Sequence, residues 1–313
     1  MAVHRFQPSH FQNVLGGRGE VLKISSGDTV VTETVDAHGI DARGNTRADG
    51  PNPLTGPFWI EGARPGDTLA VTLESIEPNR ESCWTRRGLA PNVLDSGSGS
   101  FAEFAWPSSG PLHTDWRIDR ERGTIAPTRA ATGRARLKIE VEPMIGCLGN
   151  APAGGQAIST ATSGPHGGNM DWRGTRVGTT LYFPVFQAGG LFAIGDGHAS
   201  QSDGEIAGTG TEVSMEVRFR VELLSGIATE WPRAEDSEHL YTIGNLRPLE
   251  DALRVATTEM ALWLQSEWPL TPEEIGLLLG QAARYEVGNV FDPAYTIVCR
   301  LSKHYLMTLE RNT

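Results

Sequence analysis

The run Val213-Ser214-Met215-Glu216-Val217-Arg218-Phe219-Arg220-Val221-Glu222-Leu223 decides the architecture. Every second side chain is apolar and every intervening one is polar. A strict period of two sends one set to a buried face and the other to water, which is a strand and not a helix. The same alternation recurs at Leu69, Val71 and Leu73, after the turn pair Gly66-Asp67, and at Leu137, Ile139 and Val141. Residues 29–35 follow the turn pair Gly27-Asp28, and residues 179–185 form a further apolar strand-like run. Many short strands divided by glycine and proline turns predict a mainly β (α+β) fold. Its body should be a sandwich or barrel of antiparallel strands, not a set of βαβ units.

The period changes near the end of the chain. Leu249, Leu253, Ala256, Met260 and Leu264 recur at spacings of three and four, with Pro248 at the expected helix start. A second helix should open at Thr271-Pro272-Glu273-Glu274, where Thr271 caps, Pro272 takes the first helical position and Glu274 completes a capping box. Ile275, Leu278, Leu279, Ala282 and Ala283 would form its buried stripe and Gly288 would end it, before a strand-like run at 295–301. The expectation is one domain over 1–313. It has a β-rich body at about 20–225 and a C-terminal part at about 240–313 that carries a helical hairpin.

Composition narrows the function classes. The chain has 313 residues, 39% hydrophobic and 21% charged, as in ordinary globular proteins with a substantial core. A formal net charge of -11, with lysine only at 23, 138 and 303, argues against nucleic acid or an anionic membrane surface as partner. Cys83, Cys147 and Cys299 make neither a disulfide framework nor a Cys-x-x-Cys site. Met1-Ala2-Val3-His4-Arg5-Phe6 has no apolar signal core, and no run approaches the ~18 apolar residues of a membrane span. A cytoplasmic protein acting on a small molecule is expected. Assembly into a homo-oligomer stays open, with Phe101, Phe104, Trp106 and Trp116 as interface candidates. The Gly/Ser run at 96–100 is expected to be a surface loop, or else a lid.

Chemistry concentrates at 164–205. The segment opens Gly164-Pro165-His166-Gly167-Gly168-Asn169-Met170-Asp171 and closes Gly195-Asp196-Gly197-His198-Ala199-Ser200-Gln201-Ser202-Asp203-Gly204-Glu205. If 195–198 ends a strand, Asp196 and His198 point to one face as a pair suited to a divalent metal. His166 and Asp171 could complete the ligand set. Imidazole with carboxylate suits zinc, and also iron or manganese. Asp203 and Glu205 repeat the two-residue spacing and are candidates for acid–base work, Glu205 taking a proton from water and passing it on. The Gly167 and Gly168 amides could hold a developing oxyanion. Asn169 and Gln201 are candidate substrate contacts. The competing reading of each Asp-Gly pair is a plain tight turn.

The two runs resemble the signature of the acetamidase/formamidase family. Leu181-Tyr182-Phe183-Pro184-Val185-Phe186 adds to the resemblance, as do Asn52-Pro53-Leu54-Thr55-Gly56-Pro57, Glu61-Gly62-Ala63 and Pro65-Gly66-Asp67. It runs from about Val21 to near the end of the chain, with residues 79–135 divergent and Ser200 and Ser202 departing from the pattern around Gln201. It implies a mainly β hydrolase that cleaves short uncharged amides to a carboxylate and ammonia. Asp36 matches a family position where an acidic residue follows a strand, and is a further candidate substrate contact. His38 departs from the pattern and is expected to be peripheral.

Other mechanisms stay open. Cys147, in Gly146-Cys147-Leu148-Gly149, is the one attractive thiol for a cysteine-dependent amidase. A serine–lysine amidase lacks a lysine in a Gly/Ser-rich setting. The spacing from Gly195 to Glu205 bears a faint likeness to cupin metal motifs but has no second histidine beside the first. From another class, a β-sandwich that binds a small ligand or metal without catalysis would show the same clusters.

Overall fold

The computed structural model describes residues 1–17, 19–128 and 137–309. The deciding run becomes strand Met215–Leu224. Met215, Val217, Phe219 and Val221 are buried while Glu216 and Arg218 are exposed, as its alternation requires. It pairs antiparallel with Thr29–Glu33 on one side and Thr68–Pro78 on the other. That places it inside a nine-stranded sheet, which continues through Thr180–Pro184, Arg233–Glu235, His239–Leu246, Tyr295–Ser302 and Arg284–Val287. On the wet face Arg218 reaches Glu74 at 2.7 Å. Such an exposed pair contributes at most about 1 kcal/mol.

A second, six-stranded sheet runs Ser163–Gly164, Gly167–Asn169, Met144–Gly149, Phe192–His198, Leu54–Ile60 and Leu22–Ile24. Phe58 and Phe192 from this sheet meet Phe219 of the first, with ring centroids 5.5 and 5.4 Å apart. All three rings are fully buried, each contributing about 2–3 kcal/mol of apolar transfer. The two sheets therefore share one core. A four-stranded sheet, with Ser82–Arg86 and His113–Asp119 at one side, flanks it.

The mainly β expectation holds, and so does the helical hairpin. Helix Leu249–Glu267 starts after Pro248 and buries Ala252, Ala256, Met260, Trp263 and Leu264 against the C-terminal strands. Leu253 lies on the same face by helical angle but is exposed near the start of the helix. Helix Pro272–Ala282 carries the expected capping box from Thr271 and Glu274. It ends at Ala282, not Gly288, because Arg284–Val287 leaves the helix to pair with Tyr295–Ser302. The alternation at 137–141 yields only the two-residue edge strand Ile139–Glu140, with Leu137 and Ile139 exposed and Val141 packed partly against the core. Among the described residues no helix is long and apolar enough to cross a membrane.

Candidate functional site

Three parts of the chain converge at the end of strand Phe192–His198. That strand supplies Asp196 and His198, the segment after Gly167–Asn169 supplies Asp171, and the loops beyond supply Glu205, Glu212 and Asp292, all buried. Ligand-type atoms of Asp171, Asp196 and His198 lie within 4.8 Å of one another; so do those of His198, Glu205 and Glu212, and those of Asp171, Glu205 and Asp292. Asp171, Asp196 and Glu205 all have positive φ (44°, 61° and 46°), as has the nearby Asn52 at 44°. Backbone held in this region by non-glycine residues is costly and persists where the surroundings impose it, as they do at sites. Strand pairing skips Asp196: Cys147 opposes Gly195 and Ile145 opposes Gly197, so the carboxylate is re-aimed beside His198.

The cluster has buried polar atoms without partners. Both Asp171 carboxylate oxygens, Asp196 Oδ1, His198 Nε2 and Glu212 Oε2 make no hydrogen bond among the described residues. His198 Nε2 is 3.2 Å from Glu212 Oε1 and 3.5 Å from Asp196 Oδ1. Gln201 orients the ring. Its Nε2 donates to the Asp171 carbonyl, so its Oε1, 2.8 Å from His198 Nδ1, accepts from that nitrogen. In the neutral imidazole this leaves the Nε2 lone pair facing the carboxylates. Gly146 makes room: a Cβ there would run into Asp171 Oδ1 and stand 2.8 Å from Asp196 Oδ2.

Burial governs the titration of these groups. It pushes the Asp171 and Glu205 carboxyls well above the usual range, with neighbouring carboxylates adding to the shift. Burial lifts Glu212 to about 7 and Asp292 to about 6. For His198 burial acts downward, but Glu212 and Asp196 outweigh it and hold the imidazole well above its ordinary value. Asp196, Glu205, Glu212 and Asp292 of the cluster floor a cavity of about 340 Å³, with Asp171 and His198 behind them. Asn52, Asn169, His38, Trp84, Arg86 and Phe291 are among its walls. Asn169 donates to Asp292 at 2.6 Å and accepts from Asn52 at 2.9 Å.

Several sequence candidates lie elsewhere. Asp203 is exposed and 3.4 Å from Arg173, because residues 202–205 form a turn and the two-residue spacing to Glu205 does not put both on one face. His166 occupies the turn between Ser163–Gly164 and Gly167–Asn169, outside the three ligand groups; its ring packs on Gly164 and Gly168, and burial pushes it down to about 4. Gly167 and Gly168 are buried in the strand ladder and do not line the cavity. The Asp36 carboxylate is saturated by the His38 and Ile40 amides, Trp84 Nε1 and Arg80. It holds the cavity wall and does not face the cavity. His38, expected to be peripheral, lines the cavity. Cys147 lies fully buried below the cluster, its thiol pushed well above its usual value by burial and by Asp196, which disfavours a thiolate nucleophile. Residues 96–100 are a largely exposed turn that does not line the cavity.

Residues 119–255 match the model of the acetamidase/formamidase family. An acetamidase from Mycolicibacterium smegmatis is 27% identical over 219 residues, covering 55% of this chain and 53% of that one. The chain spans about half the length of the curated relatives it matches. Among solved structures, an acetamidase from Bacillus halodurans superposes with a TM-score of 0.80 and 30% identity, over 97% of this chain and 99% of that one. A predicted acetamidase/formamidase from Thermoanaerobacter tengcongensis gives a TM-score of 0.82 at 28% identity over 98% of each chain.

Proposed function

The chain belongs to the acetamidase/formamidase family, and from that premise we propose that it hydrolyses short linear amides to a carboxylate and ammonia. The observation that carries this reading is the set of unpartnered, buried Asp171, Asp196 and His198 atoms, gathered where Asp196, Glu205, Glu212 and Asp292 line the cavity. Those atoms fit a divalent cation, and imidazole with carboxylates favours zinc. When bound, such an ion supplies a charge that polarises the amide carbonyl and acidifies a water.

The chain's own residues do the rest. Gln201 fixes His198 so that Nε2 faces Asp196 and Glu212. Glu205, lifted by burial, is suited to accept a proton from water and deliver it to the departing nitrogen as the C–N bond breaks. Asn169, steadied by Asn52, keeps Asp292 oriented beside Glu205. The charge of -11 supports a small-molecule enzyme, which we read as cytoplasmic, over one that works on nucleic acid or a membrane surface.

The test is ammonia release from formamide and acetamide, with and without a chelator, alongside elemental analysis. Turnover that falls on chelation and returns with a divalent ion is expected. Turnover that survives chelation and dies with a thiol reagent would transfer the role to Cys147. A protein that releases ammonia from no short amide is not an amidase.

A further inference from the structure

We propose that Arg86 binds a carboxylate on the substrate, so that the preferred amides are monoamides of short dicarboxylic acids. This rests on the amidase reading above and departs from the expectation of uncharged substrates. The cavity is the first ground. At about 340 Å³, and with ~30 Å³ for each water it displaces, it has room for roughly ten waters. Formamide or acetamide, with a handful of heavy atoms, fills a minor part of that. A preferred substrate extends away from the acidic floor.

The second ground is what stands at the other end. Trp84 exchanges backbone hydrogen bonds with Glu212, at 3.3 and 2.8 Å, which seats strand Ser82–Arg86 beside the cluster. Strand alternation returns Arg86 to the face of Trp84 about 7 Å farther along. The Arg86 amide donates to Thr209 Oγ1 at 2.9 Å, and Thr209 also lines the cavity. The guanidinium lies over the Trp106 ring, 4.4 Å from its centroid. Trp106 is fixed by its own bond to the Ala207 carbonyl and by an edge contact with Phe291. Arg86 is thus held in place by an aromatic face that uses none of its N–H donors.

The third ground is that no protein group answers its charge. Among the described residues Arg86 has no carboxylate partner and its side chain no hydrogen-bond acceptor. The half-buried or buried arginines with structural roles are saturated: Arg80 by Asp36 and three carbonyls, Arg233 by Glu259 at 2.7 Å. His38, stacked on Trp84 at 3.9 Å, and His113 beside them are kept toward the neutral form, chiefly by burial, so Arg86 is the cation at this end. The cavity is therefore polar along its length. Carboxylates on the floor repel a substrate carboxylate while the guanidinium attracts it, so a monoamide enters amide first. Monoamides with two or three methylenes between the two functions are the probes.

The experiment compares kcat/KM for succinamate with butyramide, and for glutaramate with valeramide. A bidentate charge-assisted pair should favour the acid by about ten- to a hundredfold, mostly through KM. In Arg86→Met, with native circular dichroism, that ratio should fall to about one. Arg86→Lys, which keeps the charge and the stem, should retain a reduced preference and serves if the Met variant does not fold. Calorimetry of succinamate binding to the same proteins gives a readout independent of turnover. A wild-type ratio of one or less, or a ratio and affinity untouched by the substitutions, overturns the proposal. Failure of the amidase reading looks different: no amide, charged or neutral, releases ammonia, while Arg86-dependent binding of succinamate still decides the role of Arg86.

Discussion

Gly146 shows at the scale of one residue why the site is built from bare backbone. Any side chain at this position would enter the space between Asp171, Asp196 and His198. Gly146→Ala is expected to lower activity ~100-fold or more, with loss of bound divalent ion and only a modest drop in melting temperature, measured on one preparation. His198→Ala should match that loss of activity with a native circular dichroism spectrum. The ring lies between Gly146 and Gly210, so its removal takes away a ligand and little packing. Near-native activity with native metal content would remove His198 from the site. Asp171, Asp196, His198 and Glu205 were legible in the sequence because glycine-rich surroundings leave titratable groups few structural roles. His166 and Asp203 share those surroundings but turn away. Glu212 was hidden by parity: it falls among the polar positions of the alternating run, yet the chain bends before Met215 and bridges to His198. Asp292 stands as a single acid before a proline, which reads as an ordinary turn.

Elements were legible wherever one face is wet. Strands Thr68–Pro78 and Met215–Leu224 alternate because water covers one side of their sheet. Ser163–Gly164 and Gly167–Asn169 carry no such pattern. They are buried throughout and exist because Gly149, Gly167 and Gly168 let neighbouring backbones come close. The N-terminal strand Val3–Phe6 is held differently again. It pairs parallel with Thr29–Glu33, and Asp28 fastens it by accepting from the Ala2 amide at 2.6 Å and meeting His4 Nε2 at 2.8 Å. The Ala2 amide, with His4, holds the Asp28 carboxyl down to about 2 from 3.8. A depressed carboxyl stabilises the fold above its unfolded value and loses that contribution as pH falls through the folded one. Amide protection of residues 3–6, relative to the intrinsic exchange rate at each pH, should therefore be high at neutral pH and fall between pH 4 and 2. Asp28→Ala should lower that protection already at neutral pH, at a cost of about 1–2 kcal/mol, allowing for solvent screening. Exchange there that ignores both changes would mean backbone pairing alone holds the strand.

The whole molecule carries a net charge of -11 and still buries Asp171, Asp196, Glu205, Glu212 and Asp292 together, with His198 as the one basic group among them. Each buried charge loses hydration, and like charges at this spacing repel, so the arrangement is unfavourable unless protons or a cation neutralise it. The core supplies the margin. Phe58, Phe192 and Phe219 lock the two sheets together at the start of the strand that ends in His198. A divalent ion that binds the folded cluster and finds no such site in the unfolded chain adds stability by mass action, about 2.7 kcal/mol at a hundredfold excess over Kd. For a chain of this size that raises the melting temperature by roughly 5 °C. The expected outcome is that chelated protein melts earlier, that zinc or manganese restores the difference, and that calcium or magnesium, which favour all-oxygen sites, restore less. Asp196→Asn should shrink the response to zinc, because it removes one ligand charge from the cluster while leaving the Phe219 core intact. A melting temperature indifferent to chelator and to every divalent ion would show that protons alone neutralise these carboxylates. The proposed amide hydrolysis would then rest on Glu205 and its neighbours without a metal.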